Sequence, residues 1–119
     1  MDSVADELLR SSPYKLQDLL KFGFSKEEIH AIVAPRRTIE RRKSKKELLT
    51  VAETDRLKRL ERVFEMAERV LGQADKANRW LRKSNRALDG HVPMDLLKSE
   101  SGARMVEDVL HAIDYGMYS

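Results

Sequence analysis

Few side chains in this 119-residue sequence are equipped for chemistry. The three histidines, His30, His91 and His111, are scattered along it. Asp108, His111 and Asp114 recur at intervals of three residues in a segment of helical character, a spacing that could gather them around a cation. With a single imidazole and no shielding cluster, the simpler reading is a polar helix face. There is no glycine-rich phosphate loop, no nucleophile beside a base and no carboxylate pair with an evident pocket. Cysteine is absent, which excludes disulfides and thiolate metal centres. An enzyme is not expected, and no cofactor or metal is assigned.

What remains is recognition by charge and apolar contact. The net charge of +3 is unevenly spread. Residues 36–62 hold 11 Lys/Arg against 5 Asp/Glu, leaving 12 against 15 elsewhere. A basic centre between acidic ends suggests a nucleic-acid surface. The run Arg36-Arg37-Thr38-Ile39-Glu40-Arg41-Arg42 follows Pro35 directly, and the segment before it also reads as a short helix. Two short helices across a tight turn, the second one basic, outline a helix-turn-helix. Arg36, Arg37 or Arg41 could then reach guanine edges and the others, with Arg42, phosphates; Thr38 could donate to a phosphate or cap its own helix, and Ile39 would face inward. The alternative is a solvated basic helix, the ordinary fate of surface Lys and Arg.

The elements around these residues are signalled by punctuation. Leu, Glu, Lys, Arg and Ala are abundant, whereas Gly numbers 5 and Pro 3, which favours helices. A short helix is expected over 2–10, with Val4, Leu8 and Leu9 on one side. Ser12-Pro13 starts a second helix, with Leu16, Leu19 and Leu20 at helical spacing and Gly23 as its stop. Phe22 and Phe24 are expected in the core. Ser25 and Glu28 form a capping box for a helix carrying Ile29, Ile32 and Val33, which Pro35 ends. Residues 44–49 read as a lysine-rich connector. Thr50 and Glu53 open the longest helix, where Leu57, Leu60, Phe64, Ala67 and Leu71 form a narrow apolar seam closed by Gly72.

Beyond Gly72 come three punctuated helical pieces. Ala77, Trp80 and Leu81 are expected inward on the first, Asn85 caps a turn around Leu88, and Pro93 opens a short turn. Ser99 caps a final helix bearing Val106, Leu110 and Ile113. Gly102, early in that helix, suggests close approach to a neighbour such as Trp80. The expected division is therefore 1–72 and 73–119. No apolar run is long enough to span a bilayer and the start lacks the pattern of a signal peptide, so a cytoplasmic protein is expected.

Trp80-Leu81, Asn85, Leu88, Gly90, Pro93, Leu96-Leu97, Gly102, Val106, Leu110, Ile113 and Gly116 together resemble the toxin-binding domain of the Xre/MbcA/ParS antitoxins. Gly23-Phe24-Ser25, Pro35 to Ile39, Arg41-Arg42, Glu53 and Arg56-Leu57 resemble the degenerate helix-turn-helix that precedes it in that family. Two positions depart from the pattern: Ser84 replaces a usual proline, and Asp89 replaces a common second glycine. The resemblance implies an all-α fold, a degenerate Xre-like helix-turn-helix region followed by a small helical toxin-binding domain. It further implies an antitoxin that blocks the active site of an NAD-consuming toxin, either a RES-type NADase or a ParT-like ADP-ribosyltransferase. Its other expected partners are operator DNA, which the complex would repress, and a second copy of itself. Within that reading Tyr115, Met117 and Tyr118 form a terminal plug that enters the toxin's cleft. Arg104 and Asp108 flank it on the exposed face of the last helix, and Arg86 lies in the loop nearby, all as toxin contacts; the alternative is that this end docks onto the chain's own core. A second possibility is a free-standing helix-turn-helix regulator whose C-terminal module only dimerises. A third is an adaptor without a DNA function.

Overall fold

Capping residues set the helix boundaries in the structure, a computed structural model that describes residues 4–116. Every regular element among those residues is helical. Helix α1 is Val4–Leu8. Ser12 then accepts a hydrogen bond from the Tyr14 amide at the start of a 3-10 turn, Pro13–Lys15, that leads into α2, Leu16–Phe22. The Ser25 hydroxyl accepts from the Glu28 amide at 3.0 Å while the Ser25 amide donates to Glu28 Oε1 at 2.8 Å, so both orphan donors at the start of α3, Lys26–Ile32, are satisfied. Helix α4, Arg36–Ser44, begins directly after Pro35. Thr50 and Glu53 repeat the reciprocal cap, at 2.8 and 3.1 Å, ahead of α5, Val51–Leu71.

Two compact units divide between Lys58 and Arg59, inside α5. The sequence reading put the division after Gly72. The difference arises because the second half of α5 buries Leu60, Val63, Phe64 and Ala67 and its arginines bond into the C-terminal helices.

In the first unit, Leu19, Phe24, Ile29, Val33, Ile39 and Leu57 are buried. The 3-10 turn packs on α2 and on α4. The lysine-rich connector is more structured than expected. Helix α4 runs on to Ser44, Lys46 takes a left-handed conformation (φ 56), and Leu49 is fully buried. The Leu49 amide donates to the Ser11 carbonyl at 2.8 Å, and the Arg10 guanidinium donates to the Leu48 and Leu49 carbonyls at 3.2 and 2.8 Å. The Ser11 amide donates to Thr54 Oγ1 at 2.9 Å. These bonds satisfy backbone groups that a free connector would leave to water. Not every apolar side chain is covered: Leu8 is 80% exposed, Leu9 51% and Leu20 41%, and Phe22 is only half-buried.

In the second unit, α6 is Ala74–Leu81, a 3-10 turn spans Arg86–Leu88, α7 is Pro93–Leu96 and α8 is Glu100–Asp114. Asn85 organises the loop after α6. Its side-chain oxygen accepts from the Ala87 amide at 2.9 Å, and its own backbone bonds to His91 and Gly90. Asp89 sits at φ 54, a left-handed conformation that L-residues other than Asn and Asp rarely adopt. A glycine at this place would meet the same demand with less strain.

Gly102 is buried where α8 starts, and a Cβ there would collide with the carbonyl oxygen of Leu96. The close approach is real, but the neighbour is the backbone of α7, not Trp80. Trp80 itself is half-buried, while Ala77 and Leu81 beside it are fully buried. No helix among the described residues is long and apolar enough to cross a membrane.

Candidate functional site

Helix α4 displays its charge in a definite register. At about 100° per residue, Arg36, Arg37, Glu40, Arg41 and Ser44 share one arc, and all five are exposed. Ile39 is buried on the opposite side and Thr38 is half-buried beside it. Arg36 and Glu40 form an exposed i,i+4 pair at 3.0 Å, of a kind that contributes little to stability. Arg37 and Arg41 stand exposed on the same arc.

Arg42 is placed differently from the other arginines. Lying about half a turn from the middle of that arc, its side chain is only 12% exposed. Its Nε donates to Glu53 Oε1 at 2.8 Å and its Nη2 to Glu53 Oε2 at 3.2 Å, with Glu47 at 3.3 Å. The same Glu53 oxygen accepts the Thr50 amide. Burial alone would raise the pKa of Glu53, but the hydrogen bonds from Arg42 and Thr50, with the charge of Arg42, hold it below the ordinary glutamate value. Arg42 therefore braces α4 against the start of α5. Sequence reasoning grouped it with the contact arginines because residue type carries no sign of facing.

Two depressions run along the flank of α4. One, about 490 Å³, is lined by Lys26, Glu27, His30, Arg36, Ile39, Glu40 and Lys43. The other, about 340 Å³, includes Tyr14, Lys43 and Lys46, with the Lys43 ammonium 5.1 Å from the centre of the Tyr14 ring. The His30 ring bonds to the Ala34 carbonyl at 3.2 Å, a local closure of the turn before α4.

In the second unit, α8 is clamped on one side and open on the other. Gly102, Ala103, Val106, Val109 and Leu110 face inward. Arg59, itself buried, donates to the Leu97 carbonyl at 3.2 Å and to Glu100 at 3.1 Å. Arg62 reaches Glu100 at 2.8 Å and Glu107 at 3.1 Å, and Arg69 reaches Asp114 at 3.4 Å. Desolvation opposes ionisation of Glu100, yet hydrogen bonds and charge from Arg59 and Arg62 keep its pKa low.

The open side brings Arg104, Met105, Asp108, His111 and Tyr115 to the surface, all exposed. The His111 and Tyr115 rings stack at 6.5 Å between centroids. Arg86 is exposed in the 3-10 turn, which packs against α8. Of the residues read as toxin contacts, Arg104, Asp108 and Tyr115 thus share one helix face with Arg86 on the adjoining turn, while Met117 and Tyr118 lie outside the described residues. Met105 was not singled out from sequence. Its signal was available: it occupies the register position between the outward Asp108 and the inward Val109. Among the described residues, no His, Asp and Glu side chains gather as a group of three around a possible metal position.

Helix α4 thus presents a basic exposed face and α8 a mixed one. Residues 66–116 match the antitoxin Xre/MbcA/ParS C-terminal toxin-binding domain. The chain is similar to an antitoxin Xre of Pseudomonas putida, 40% identical over 84 residues, covering 71% of this chain and 53% of the relative. An antitoxin Xre of Photorhabdus laumondii is 34% identical, with 70% and 57% covered. One from Yersinia enterocolitica is 28% identical, with 87% and 81% covered. The chain thus spans little more than half the length of the first two relatives. Its fold is similar to that of a chain in the crystal structure of the M. tuberculosis MbcT–MbcA toxin–antitoxin complex, with a TM-score of 0.65, 24% identity, and 90% of this chain and 96% of the other covered.

Proposed function

We propose that this chain is the antitoxin of a toxin–antitoxin pair and that it neutralises an NAD-consuming toxin by covering its active site. The observation that carries this reading is the match of residues 66–116 to a toxin-binding domain, whose last helix has an open face of large and charged side chains. Arg86, Arg104, Asp108 and Tyr115 contact the toxin, and the terminal Met117 and Tyr118 extend the contact into its cleft. Neutralisation is steric, so nothing turns over.

In the same reading the chain acts in the cytoplasm and represses its own operon as a dimer. Arg36, Arg37 and Arg41 on the exposed arc of α4 contact operator DNA, Thr38 supports them, and Arg42 holds the helix in place.

The test is co-expression with the reading frame adjoining this gene, followed by co-purification and measurement of cellular NAD. The adjoining product alone should deplete NAD and arrest growth, and co-expression should restore both. If the two proteins do not co-purify, or NAD is untouched by the adjoining product, the proposed partner chemistry is wrong.

A further inference from the structure

Among the described residues of the second unit, the large apolar side chains that stand exposed are Met105, at 50%, and Tyr115, at 77%. Met105 borders a shallow cavity of about 260 Å³ between the Arg86–Leu88 turn and α8, lined by Ala87, Leu88, Met105, Asp108 and Val109. Leu88 and Val109 are buried, so they form a fixed apolar floor. Met105 is an exposed and adjustable wall, and the exposed Asp108 is the one charged residue of the lining. The depression is shallow and open to solvent, and polar and apolar atoms share its lining about equally, so it offers both an apolar and a hydrogen-bonding contact.

From this geometry we infer that the notch is an anchor point for the toxin: it receives an apolar side chain, and Asp108 accepts a hydrogen bond from a cationic or N–H donor next to that side chain. The inference rests on the antitoxin reading above, and the occupant follows from it, because all five lining residues lie within the stretch that matches a toxin-binding domain. Methionine suits such a wall, since its unbranched thioether can repack around an incoming group. A fixed floor with one adjustable wall and one acceptor at the rim gives the contact both an apolar and a directional component.

The experiment measures binding of the purified adjoining-frame product to the full chain and to variants at position 105. Met105→Ala should weaken binding about 10- to 30-fold, as truncation of a central interface anchor does. Met105→Glu should weaken it further, whereas Met105→Leu should stay within about threefold, since the volume is conserved. Arg79→Ala, on the exposed face of α6, serves as control and should bind as the unaltered chain does. Because Met105 is half exposed, all three position-105 variants should retain the unaltered melting temperature, which separates lost contact from lost fold. If the unaltered chain binds tightly and Met105→Ala and Met105→Glu bind equally well, the notch is not an anchor although the antitoxin reading stands. If the unaltered chain does not bind, the antitoxin reading falls and takes the notch with it.

Discussion

Removing Arg42 is the sharpest test of how α4 is held. The Arg42 side chain is 12% exposed and that of Glu53 9%, and two guanidinium nitrogens meet two carboxylate oxygens at 2.8 and 3.2 Å. Arg42→Ala leaves the Glu53 carboxylate buried, with the Thr50 amide donating to it. Breaking a fully buried pair costs about 3–5 kcal/mol, because the surviving charge is stranded. The exposed partner Glu47 shows that water reaches the edge of this site, which lowers the expected cost to about 2–3 kcal/mol, since exposed pairs contribute about 1 kcal/mol or less. For a chain of this size that is a fall of roughly 6–15 °C in melting temperature. Urea denaturation of the two proteins measures it directly. Arg42→Lys should recover only part of the loss, because an ammonium cannot present the two-pronged contact.

The pH dependence supplies a second check. The folded pKa of Glu53 lies below its unfolded value, so its contribution is present above the unfolded value of about 4.3 and disappears as pH falls through the folded value. The stability gap between Arg42→Ala and the unaltered chain should therefore be full at pH 7 and narrow steadily below about pH 5. A gap under about 0.5 kcal/mol at pH 7, the scatter of ordinary surface substitutions, would refute the bracing role.

Other consequences follow from the same geometry. Arg37→Ala with Arg41→Ala should weaken binding to operator DNA and reduce the slope of log affinity against log salt by about 1 for each lost phosphate contact; an unchanged slope removes these residues from the interface. Arg42→Ala, compared at a temperature where it is folded, should leave that slope unaltered. Gly102→Ala should destabilise the chain by about 1–3 kcal/mol in urea denaturation, the usual range for overpacking, because the Leu96 carbonyl cannot yield without moving α7. Neutral behaviour of this variant would mean that the α7–α8 approach can relax. Deleting residues 115–119 should abolish protection against the toxin while the circular dichroism spectrum and melting temperature stay near those of the full chain; a truncated chain that still protects cells removes the terminal plug.

Much of the fold was legible because its boundaries are written in short-range chemistry. Ser25 with Glu28, Thr50 with Glu53, Asn85 and Ser99 all cap where the sequence placed them, since a cap needs only neighbours within a few residues. The apolar seam of α5 likewise appeared as burial of Leu57, Leu60, Phe64 and Ala67. What escaped was tertiary. Leu49 looked like connector, because the bonds that hold its segment come from Arg10 and Ser11, some forty residues away. The partner of Gly102 was misjudged for the same reason: spacing shows that a close approach exists, not which backbone arrives. Arg59 gave no sign of being buried, since its partners Leu97 and Glu100 lie some forty residues away in the chain.

The candidate sites obey one rule, which sequence composition conceals. Arg41 and Arg42 are adjacent and chemically identical, yet one is exposed and the other is locked to Glu53, because a single residue rotates the side chain by about 100° around the helix. In the second unit the buried Arg59 holds the start of α8, with the more exposed Arg62 and Arg69 pairing along its edge, while Arg104 on α8 faces outward. Arginines that spend their hydrogen bonds on structure are poor candidates for recognition, since withdrawing them strands buried carboxylates or carbonyls. Those left on the open arcs can be exchanged at little cost to the fold, so their loss should register in binding and hardly at all in melting temperature. The two sets are thus separable by experiment. Arg42→Ala and Arg59→Ala should lower the melting temperature, whereas Arg41→Ala and Arg104→Ala should leave it in place and weaken only the DNA or toxin contact, respectively. If Arg104→Ala melted as early as Arg59→Ala, the outer face of α8 would have a structural duty that its exposure does not suggest, and its assignment to the toxin would lose its physical basis.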